Sequence, residues 1–325
     1  MSFSLSEPMT ASAGAPPPVS KVAILMGTCQ GASFLAEQLA SIERQTLVDW
    51  CLVASDDASE DDTWTLLEDF QRRHPTGKVL LRHGPGAGFA CNFLSLAWQP
   101  GVRARHYAFA DQDDVWEAEK LARALAWLDS VPAEVPALYG GRTRLIDAAG
   151  RELGLSPEFR NAPCFSNALV QSIAGGNTMV FNEAARALLA HYEAVPHTVS
   201  HDWWIYQAVT ACGGVVRYDP TPTVRYRQHA ANLIGSNRGF GNGMSRLCRL
   251  WEGGFHAWMD CNLEALSILR PRMTEANRAV LDEFMRARVA ADPLARLRHG
   301  LRSGVHRQTW PGTLALRLAL AMGKV

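Results

Sequence analysis

Two acidic clusters stand out because each follows an apolar run that is typical of a buried strand. Asp111 and Asp113 form a D-x-D pair directly after residues 106–110 (HYAFA). Two carboxylates at this spacing can hold a hard divalent cation such as Mg²⁺ or Mn²⁺, which prefers oxygen ligands and is commonly shared with substrate phosphates. The alternative is a solvated acidic loop, or the N-cap of a helix over residues 116–128.

The second cluster is Asp56-Asp57-Ala58-Ser59, which follows residues 50–55 (WCLVAS). A carboxylate at this place can accept hydrogen bonds from a nucleobase N–H or a ribose hydroxyl. A turn that caps the following helix explains the same residues equally well. The residues alone leave both interpretations open.

Two groups of polar residues in the second half of the chain can also take part in chemistry. Asp202 stands beside His201 and before two tryptophans, so it is a candidate general base, or else a helix cap with core tryptophans behind it. Arg225, Arg227 and His229 form the other group. Arginine can pair with a diphosphate and histidine can ligate a metal, although a surface edge strand accounts for these residues as well.

Gly84, Gly86 and Gly88 form a G-x-G-x-G pattern after residues 78–82 (KVLLR). The spacing differs from the dinucleotide-binding G-x-G-x-x-G, and the pattern follows the third predicted strand instead of the first. A dehydrogenase is therefore disfavoured. We predict a tight loop whose backbone can approach a ligand closely.

A sheet of parallel strands can bring the two acidic clusters together. Strands are predicted at 21–26, 50–55, 78–82, 106–110, 137–143 and 215–218, with a short one inside 171–181, and helices at 33–44, 63–73, 183–191, 203–212, 251–269 and 275–290. Alternating strands and helices indicate an α/β fold, in which ligands collect at the carboxyl ends of the strands. Both acidic clusters are therefore expected to border one crevice.

The composition disfavours several classes of protein. Lys+Arg 32 balances Asp+Glu 32 in 325 residues, unlike the basic domains that bind nucleic acid. The seven cysteines include no C-x-x-C pair, which favours reduced thiols over a disulfide framework or a zinc knuckle. There is no apolar run of the roughly 20 residues that span a bilayer, and no signal-peptide pattern at the start. These features predict a cytoplasmic protein.

The chain is predicted to divide into a loose tail (1–19), an α/β domain (20–240) and a helical region (241–325), because residues 235–243 are rich in Gly, Asn and Ser. The end of the helical region mixes leucines and Trp310 with Arg296, Arg298, Arg302, Arg307 and Arg317. The sequence favours a helix packed on the domain with solvated arginines. The alternative is peripheral contact with an anionic membrane that carries a lipid-linked acceptor.

Seven segments occur in the order found in family 2 glycosyltransferases with the GT-A fold, and more narrowly in bacterial rhamnosyltransferase-type members. They are VAILMGTCQGASFLAEQLASIERQT, VASDDASEDDT, GFACNF, FADQDDVWEAEK, AGGNTMVFN, HDWW and YRQHAANLIG. The chain resembles this family up to about residue 235, and the resemblance does not cover the residues after Gly241. It implies a mixed or parallel sheet flanked by helices.

The resemblance also implies how a nucleotide-sugar donor is held. Thr28, Asp56 and Asp57 would cradle the base and ribose. Asp111 and Asp113 would hold Mg²⁺ or Mn²⁺ and the diphosphate. The implied donor is dTDP-rhamnose, with a UDP-hexose as the alternative.

On the acceptor side, the resemblance makes Asp202 the base that deprotonates an acceptor hydroxyl. Arg227 and His229 would close over the diphosphate, with His229 as the candidate for a third metal ligand. Asn177, in the Gly-Gly-Asn-Thr run at 175–178, would lie under the donor sugar and acceptor. The implied reaction is a single in-line displacement that inverts the anomeric carbon. The implied acceptor is a saccharide, free or lipid-linked, in the synthesis of cell-surface polysaccharide or O-antigen.

Two turns depart from the family pattern. Thr28-Cys29-Gln30-Gly31 replaces Thr-Tyr-Asn-Gly, and Asp56-Asp57-Ala58-Ser59 replaces Asp-Asp-Gly-Ser. Both lie in the implied nucleotide pocket, so they bear on base preference more than on catalysis. A saccharide-binding protein that has lost turnover is one rival interpretation. A nucleotidyltransferase is another, but it would favour a basic glycine-rich loop after the first strand, and residues 27–31 contain no Lys or Arg.

Overall fold

The computed structural model describes residues 20–99, 101–189, 198–229 and 254–325. Its strands are β1 (Ser20–Thr28), β2 (Trp50–Asp56), β3 (Val79–His83), β4 (Ala104–Asp111), β5 (Val115–Trp116), β6 (Ala137–Gly141), β7 (Arg144–Asp147), β8 (Glu152–Leu155), β9 (Val180–Asn182), β10 (Val215–Asp219) and β11 (Val224–Gln228). A seven-stranded sheet has the order β10-β6-β9-β4-β1-β2-β3, and a four-stranded sheet has the order β5-β11-β7-β8. In the larger sheet β9 runs antiparallel to β4 and β6, so the sheet is mixed, whereas β4, β1, β2 and β3 are parallel.

The parallel centre of the large sheet places both acidic clusters at one edge. Every residue of β2 is buried, as are most residues of β1 and β4, which is the pattern of strands covered by helices on both faces. In the register of the sheet Thr28 lies opposite Asp56, and Gly27 lies opposite Asp111. The two clusters therefore emerge at the same edge of the sheet, from the strands on either side of β1, as the sequence predicts.

Helices cover the sheet close to where the sequence predicts them. They are α1 (Ala32–Glu43), α2 (Thr63–Arg72), α3 (Phe89–Trp98), α4 (Lys120–Leu128), α5 (Phe165–Ala168), α6 (Glu183–Leu189), α7 (His201–Ala211), α8 (Gly254–Leu269), α9 (Glu275–Val289), α10 (Pro293–Arg302) and α11 (Trp310–Ala321). The helix α3 was not predicted. None of the helices in the described residues is both long and apolar enough to cross a membrane.

The small sheet corrects two of the alternatives drawn from the sequence. Val115 and Trp116 pair with β11 as the strand β5, so the helix that was considered from residue 116 begins instead at Lys120. The strand β11 lies between β5 and β7. The interpretation of Arg225 and Arg227 as part of a surface edge strand is therefore wrong.

The C-terminal helices pack on the sheet domain. Phe255 and Met259 of α8, with Leu281 and Phe284 of α9, belong to the same apolar core as Trp204 of α7. The predicted tail at 1–19 and the predicted boundary at 240/241 lie outside the described residues.

Candidate active site

Asp56 is held by the loops that follow β1 and β2. Its carboxylate accepts hydrogen bonds from the Thr28 hydroxyl (2.8 Å), the Ser59 hydroxyl (2.6 Å) and the Ser59 backbone N–H (3.0 Å). The residue is 3% exposed. The Asp56 carboxylate therefore ties the end of β1 to the loop after β2, because its hydrogen-bond donors come from both.

Asp57 organises the glycine loop in the same way. Its two carboxylate oxygens accept the backbone N–H groups of Gly86 (2.6 Å) and Gly88 (3.0 Å). Both glycines have left-handed backbones, with φ of 65° and 89°, which glycine adopts without the Cβ clash of other residues. The G-x-G-x-G spacing therefore lets the loop bend around Asp57. The roles of Thr28, Asp56 and Asp57 on the base and ribose stay predictions.

The two departures from the family pattern share a backbone feature. Gln30 has φ of 53° and Ala58 has φ of 65°, and asparagine and glycine, the residues usual at these places, tolerate this region best. The Gln30 backbone N–H donates to the Ser59 hydroxyl at 2.8 Å, so the second turn supports the first. Both turns therefore keep a left-handed backbone, although glutamine and alanine favour it less than asparagine and glycine do.

A compact carboxylate cluster lies at the end of β4. Asp111, Asp113 and Asp114 each offer an oxygen, and these oxygens lie within 4.8 Å of one another. His229 adds a ring nitrogen, because its Nε2 lies 2.7 Å from Asp113 Oδ2. The donor set of carboxylates and one imidazole fits Mg²⁺ or Mn²⁺. The structure brings the predicted ligands Asp111, Asp113 and His229 together; their binding of a metal stays a prediction.

The electrostatics of this cluster favour a cation. Burial, together with the negative charges of Asp113 and Asp202, raises the pKa of Asp111 to about 8. Burial and the charges of Asp111 and Asp113 raise the pKa of Asp114 as well. Crowded carboxylates with raised pKa values gain from added positive charge.

Lys120 is a buried cation beside the cluster. Its Nζ lies 3.6 Å from the centroid of the Trp116 ring, and its charge acts on Asp111 and Asp114. Burial lowers the pKa of Lys120 to about 7. The charge of this single lysine therefore offsets only part of the repulsion among the acidic residues.

Asp114 belongs to the same acidic run in the sequence, but no role was predicted for it. Its Oδ2 accepts a hydrogen bond from Asn177 Nδ2 at 2.6 Å, and its Oδ1 accepts the Arg227 backbone N–H at 3.2 Å. Asn177 and Arg227, both predicted site residues, thus contact the acidic loop directly. The available signal was the third aspartate in the run Asp-Gln-Asp-Asp, which a D-x-D pattern overlooks.

Arg227 braces the acidic loop from inside the protein. It is 1% exposed, and its guanidinium donates to the carbonyls of Asp113 (2.9 Å) and Ala148 (3.0 Å) and pairs with Glu37. The guanidinium also lies 4.8 Å from the Phe34 ring centroid. Contact between Arg227 and a diphosphate, which the resemblance implies, stays a prediction.

A polar stripe on and just after α1 also positions the acidic loop. Gln38 Nε2 donates to the backbone carbonyl of Asp111 at 2.9 Å, and Ser41 Oγ accepts the Trp116 backbone N–H at 3.0 Å. Gln45 Oε1 accepts a backbone N–H at the start of α4 at 3.1 Å. No role was predicted for these three residues, although their spacing of three and four is that of one helix face.

Asp202 lies in the first turn of α7, whose N-cap is Ser200. Its Oδ1 accepts hydrogen bonds from the Ser200 hydroxyl (2.5 Å) and the Trp203 backbone N–H (2.6 Å). The charge of Asp202 also reaches Asp111, whose pKa it raises. Asp202 therefore stabilises a helix N-terminus and borders the acidic cluster at the same time.

His201 of α7 packs against a short 3₁₀ helix, Gly176–Thr178, which contains Asn177. The His201 ring is 5% exposed and stacks on Phe93, with 4.0 Å between ring centroids. A Cβ on Gly176 would lie 2.2 Å from His201 Nε2. Glycine at 176 is therefore required for this close approach.

Comparisons with known proteins agree with the geometry. The Glycosyl transferase family 2 model matches residues 23–184. The dTDP-rhamnosyl transferase RfbG of Shigella flexneri is 29% identical over 223 residues, which cover 66% of this chain and 75% of that protein.

Solved structures support the fold. TarS of S. aureus (residues 1–349), in complex with UDP-GlcNAc, has a TM-score of 0.58 at 14% identity and covers 94% of this chain and 88% of its own. The mannosyltransferase PcManGT of Pyrobaculum calidifontis, in complex with GDP-Man and Mn²⁺, has a TM-score of 0.51 at 17% identity, with coverage of 96% and 83%. These solved structures show the GT-A fold. The family model, together with the likeness to RfbG and the motifs, identifies the chain as an enzyme of glycosyltransferase family 2.

Proposed function

We propose that this enzyme is an inverting, metal-dependent transferase that moves L-rhamnose from dTDP-rhamnose to a saccharide acceptor in cell-surface polysaccharide or O-antigen synthesis. The observation that carries the proposal is that Gly176 and Asn177 link the acidic loop after β4 to the start of α7. Asn177 Nδ2 donates to Asp114 Oδ2 at 2.6 Å, and Gly176 packs against His201, the neighbour of Asp202. The rhamnosyl donor is supported by the likeness to a dTDP-rhamnosyl transferase over two thirds of the chain.

Asp202 is suited to deprotonate the acceptor hydroxyl. Two donors, the Ser200 hydroxyl and the Trp203 N–H, hold Oδ1 and fix the orientation of the carboxylate. In the proposed reaction Oδ2 accepts the proton as the acceptor oxygen attacks the anomeric carbon and the bond to the diphosphate breaks. Inversion follows from this single displacement.

The acidic cluster is suited to the leaving-group side. Asp111, Asp113 and His229 would hold Mg²⁺ or Mn²⁺, which when bound supplies positive charge beside the nucleotide diphosphate. Asn177 and Arg227 keep the loop of these ligands in place through Asp114 and the Asp113 carbonyl. A rigid loop avoids reorganisation during the reaction, which is the main source of electrostatic catalysis.

We also propose a cytoplasmic location. The described cysteines Cys29, Cys51, Cys91, Cys164, Cys212 and Cys261 are free thiols, which supports a reducing compartment. A nucleotide-sugar donor and a saccharide acceptor, free or lipid-linked, are the proposed partners.

The proposal is tested by Asp202→Asn, which keeps the size of the side chain but cannot take the proton. A general base contributes about 10²–10⁴-fold to rate, so transfer should fall by that factor while donor affinity stays near normal. The matched control is Asp292→Asn, because Asp292 caps α10 through its side chain and asparagine caps equally well. Near-normal transfer by a folded Asp202→Asn protein would show that Asp202 only supports its helix. Donor binding without turnover in the wild type would instead favour a binding protein.

A further inference from the structure

The final helix α11 has an apolar face that the described protein leaves open. Trp310 is 76% exposed, Leu314 43% and Leu318 57%, and their four-residue spacing puts them on one side of the helix. Leu316 and Leu320, on the other side, are buried in the core. A helix that carries large apolar side chains on two opposite sides is expected to have both sides covered, so the exposed side calls for an occupant.

The last two helices, which form this end of the chain, carry charge of one sign. Residues 293–325 contain no Asp or Glu, and their cations are Arg296, Arg298, Arg302, Arg307, Arg317 and Lys324. The formal net charge of the whole chain is zero, so the cations are concentrated at this end. Arg317 is exposed on the same side of α11 as Leu314 and Leu318, and Arg298 and Arg302 are exposed on the neighbouring helix α10.

An anionic lipid surface matches both properties. Tryptophan and leucine side chains insert at the boundary between headgroups and acyl chains, while arginines meet anionic headgroups. The helix has 12 residues, or about 18 Å, so it would lie along the bilayer instead of crossing the roughly 30 Å of hydrocarbon. A second copy of the chain fits less well, because a two-fold contact would bring together two copies of a segment, residues 293–325, that has cations and no Asp or Glu.

We propose that Trp310–Ala321 docks on anionic phospholipid, with Trp310, Leu314 and Leu318 in the interface and Arg317 at the headgroups. The docked helix is firmly joined to the site. Asn167 Nδ2 donates to the His306 carbonyl (3.0 Å) just before α11, and Trp203 Nε1 in α7 donates to the carbonyl of residue 168 in α5 (2.7 Å).

These contacts connect the membrane surface to the helix that carries Asp202. Docking would therefore hold the acceptor side of the site at a fixed height above the lipid, where a lipid-linked saccharide is presented. This consequence rests on the proposed function, whereas the docking itself does not.

The test is sedimentation of the full chain with vesicles. Wild type should bind vesicles of phosphatidylcholine mixed with phosphatidylglycerol. Its affinity for vesicles of phosphatidylcholine alone should be lower by about tenfold or more. The variant Trp310→Ala/Leu314→Ser/Leu318→Ser should lose binding by about tenfold or more, and Arg317→Glu should weaken it and reduce its salt dependence. The matched control is Val48→Ser, because Val48 is 76% exposed but lies on the loop before β2.

Three results would overturn the docking proposal. One is equal vesicle binding by wild type and the triple variant, and another is no binding of wild type to the anionic vesicles. The third is a wild-type dimer in analytical ultracentrifugation that the triple variant dissociates. Transfer to a soluble saccharide, measured without vesicles, should be unchanged in the triple variant. Failure of that transfer in wild type would count against the proposed function and leave the vesicle result standing.

Discussion

The two acidic clusters occupy equivalent places in the fold but differ in how their carboxylates are used. The Asp56 carboxylate accepts three hydrogen bonds from Thr28 and Ser59, and the Asp57 carboxylate accepts two from the glycine loop. Asp111 accepts a hydrogen bond from Gln38 only through its backbone carbonyl, and the described residues place no donor on its carboxylate.

The difference shows that acidity alone does not define a metal site. Carboxylates that are surrounded by N–H and O–H donors hold loops in place. Their charge is already stabilised by those donors. Carboxylates crowded against one another, as Asp111 and Asp113 are, would gain the same stabilisation from a bound cation. Gln38 and the Arg227 guanidinium bind the backbone carbonyls of Asp111 and Asp113 instead of their carboxylates. The donors that do reach a carboxylate from Asn177 and the Arg227 backbone go to Asp114.

The same substitution should change stability in opposite directions in the two clusters, and this is the largest stability effect we expect. Asp56→Asn puts an amide where a buried carboxylate accepts three hydrogen bonds, so it should lower the free energy of unfolding by about 1–3 kcal/mol. Folding raises the pKa of the Asp111 carboxyl to about 8, which costs stability at neutral pH, and Asp111→Asn removes this cost. The variant should therefore raise the free energy of unfolding of the metal-free protein by about 1 kcal/mol or more. Urea unfolding in chelator measures both. Equal destabilisation by the two variants would contradict the claim that Asp56 stabilises the fold while Asp111 destabilises it.

The acceptor side should also carry a pH dependence of stability. Burial lowers the pKa of His201 from 6.5 to about 4, so folding favours the neutral ring. The stabilisation is complete above pH 6.5 and is lost as the pH falls from about 6.5 towards about 4. Between pH 7 and pH 5 this amounts to about 2 kcal/mol.

Urea unfolding of wild type and His201→Gln at pH 7 and pH 5 checks this prediction. The variant should lose about 2 kcal/mol less than wild type over this interval. An identical loss in both proteins would mean that the ring is protonated in the fold without cost.

The sequence was sufficient for the elements that hold the two clusters, and the reason is local. The strands β1, β2 and β4 contain continuous apolar runs, and β2 and β4 end in an aspartate. Such runs indicate buried parallel strands without further information. The predicted convergence of the clusters is confirmed by the pairing of Thr28 with Asp56 and Gly27 with Asp111.

What the sequence did not reveal depends on contacts between distant residues. The strand β5 has two residues and exists because β11 pairs with it, so no local pattern marks it. Asp114 is hydrogen-bonded to Asn177, which is 63 residues away in the sequence. Gln38 is hydrogen-bonded to the Asp111 carbonyl, which is 73 residues away. The helix α3, Phe89–Trp98, is apolar on most sides and lacks the periodicity that distinguishes a helix from a strand.

The smallest expected effect on stability is at Ala58, in the turn that follows Asp56 and Asp57. Ala58→Gly relieves a left-handed alanine, worth roughly 1–2 kcal/mol, but increases the entropy of the unfolded chain by about 0.5–1 kcal/mol. The net result should be a gain of up to about 1 kcal/mol. Ala36→Gly, at an exposed position within α1, is the control and should lose about 1 kcal/mol. A loss at both positions would mean that the turn at Ala58 carries no backbone strain.

The central claim is that the cluster at the end of β4 binds the metal and the cluster at the end of β2 does not. The most direct measurement is calorimetric titration of dTDP-rhamnose, with and without Mn²⁺, into wild type, Asp113→Asn and Asp57→Asn. Donor affinity should depend on Mn²⁺ in wild type and in Asp57→Asn, even where the latter binds more weakly, and should lose this dependence in Asp113→Asn. Equal Mn²⁺-dependent binding in wild type and Asp113→Asn would contradict the claim, as would loss of the dependence in Asp57→Asn alone.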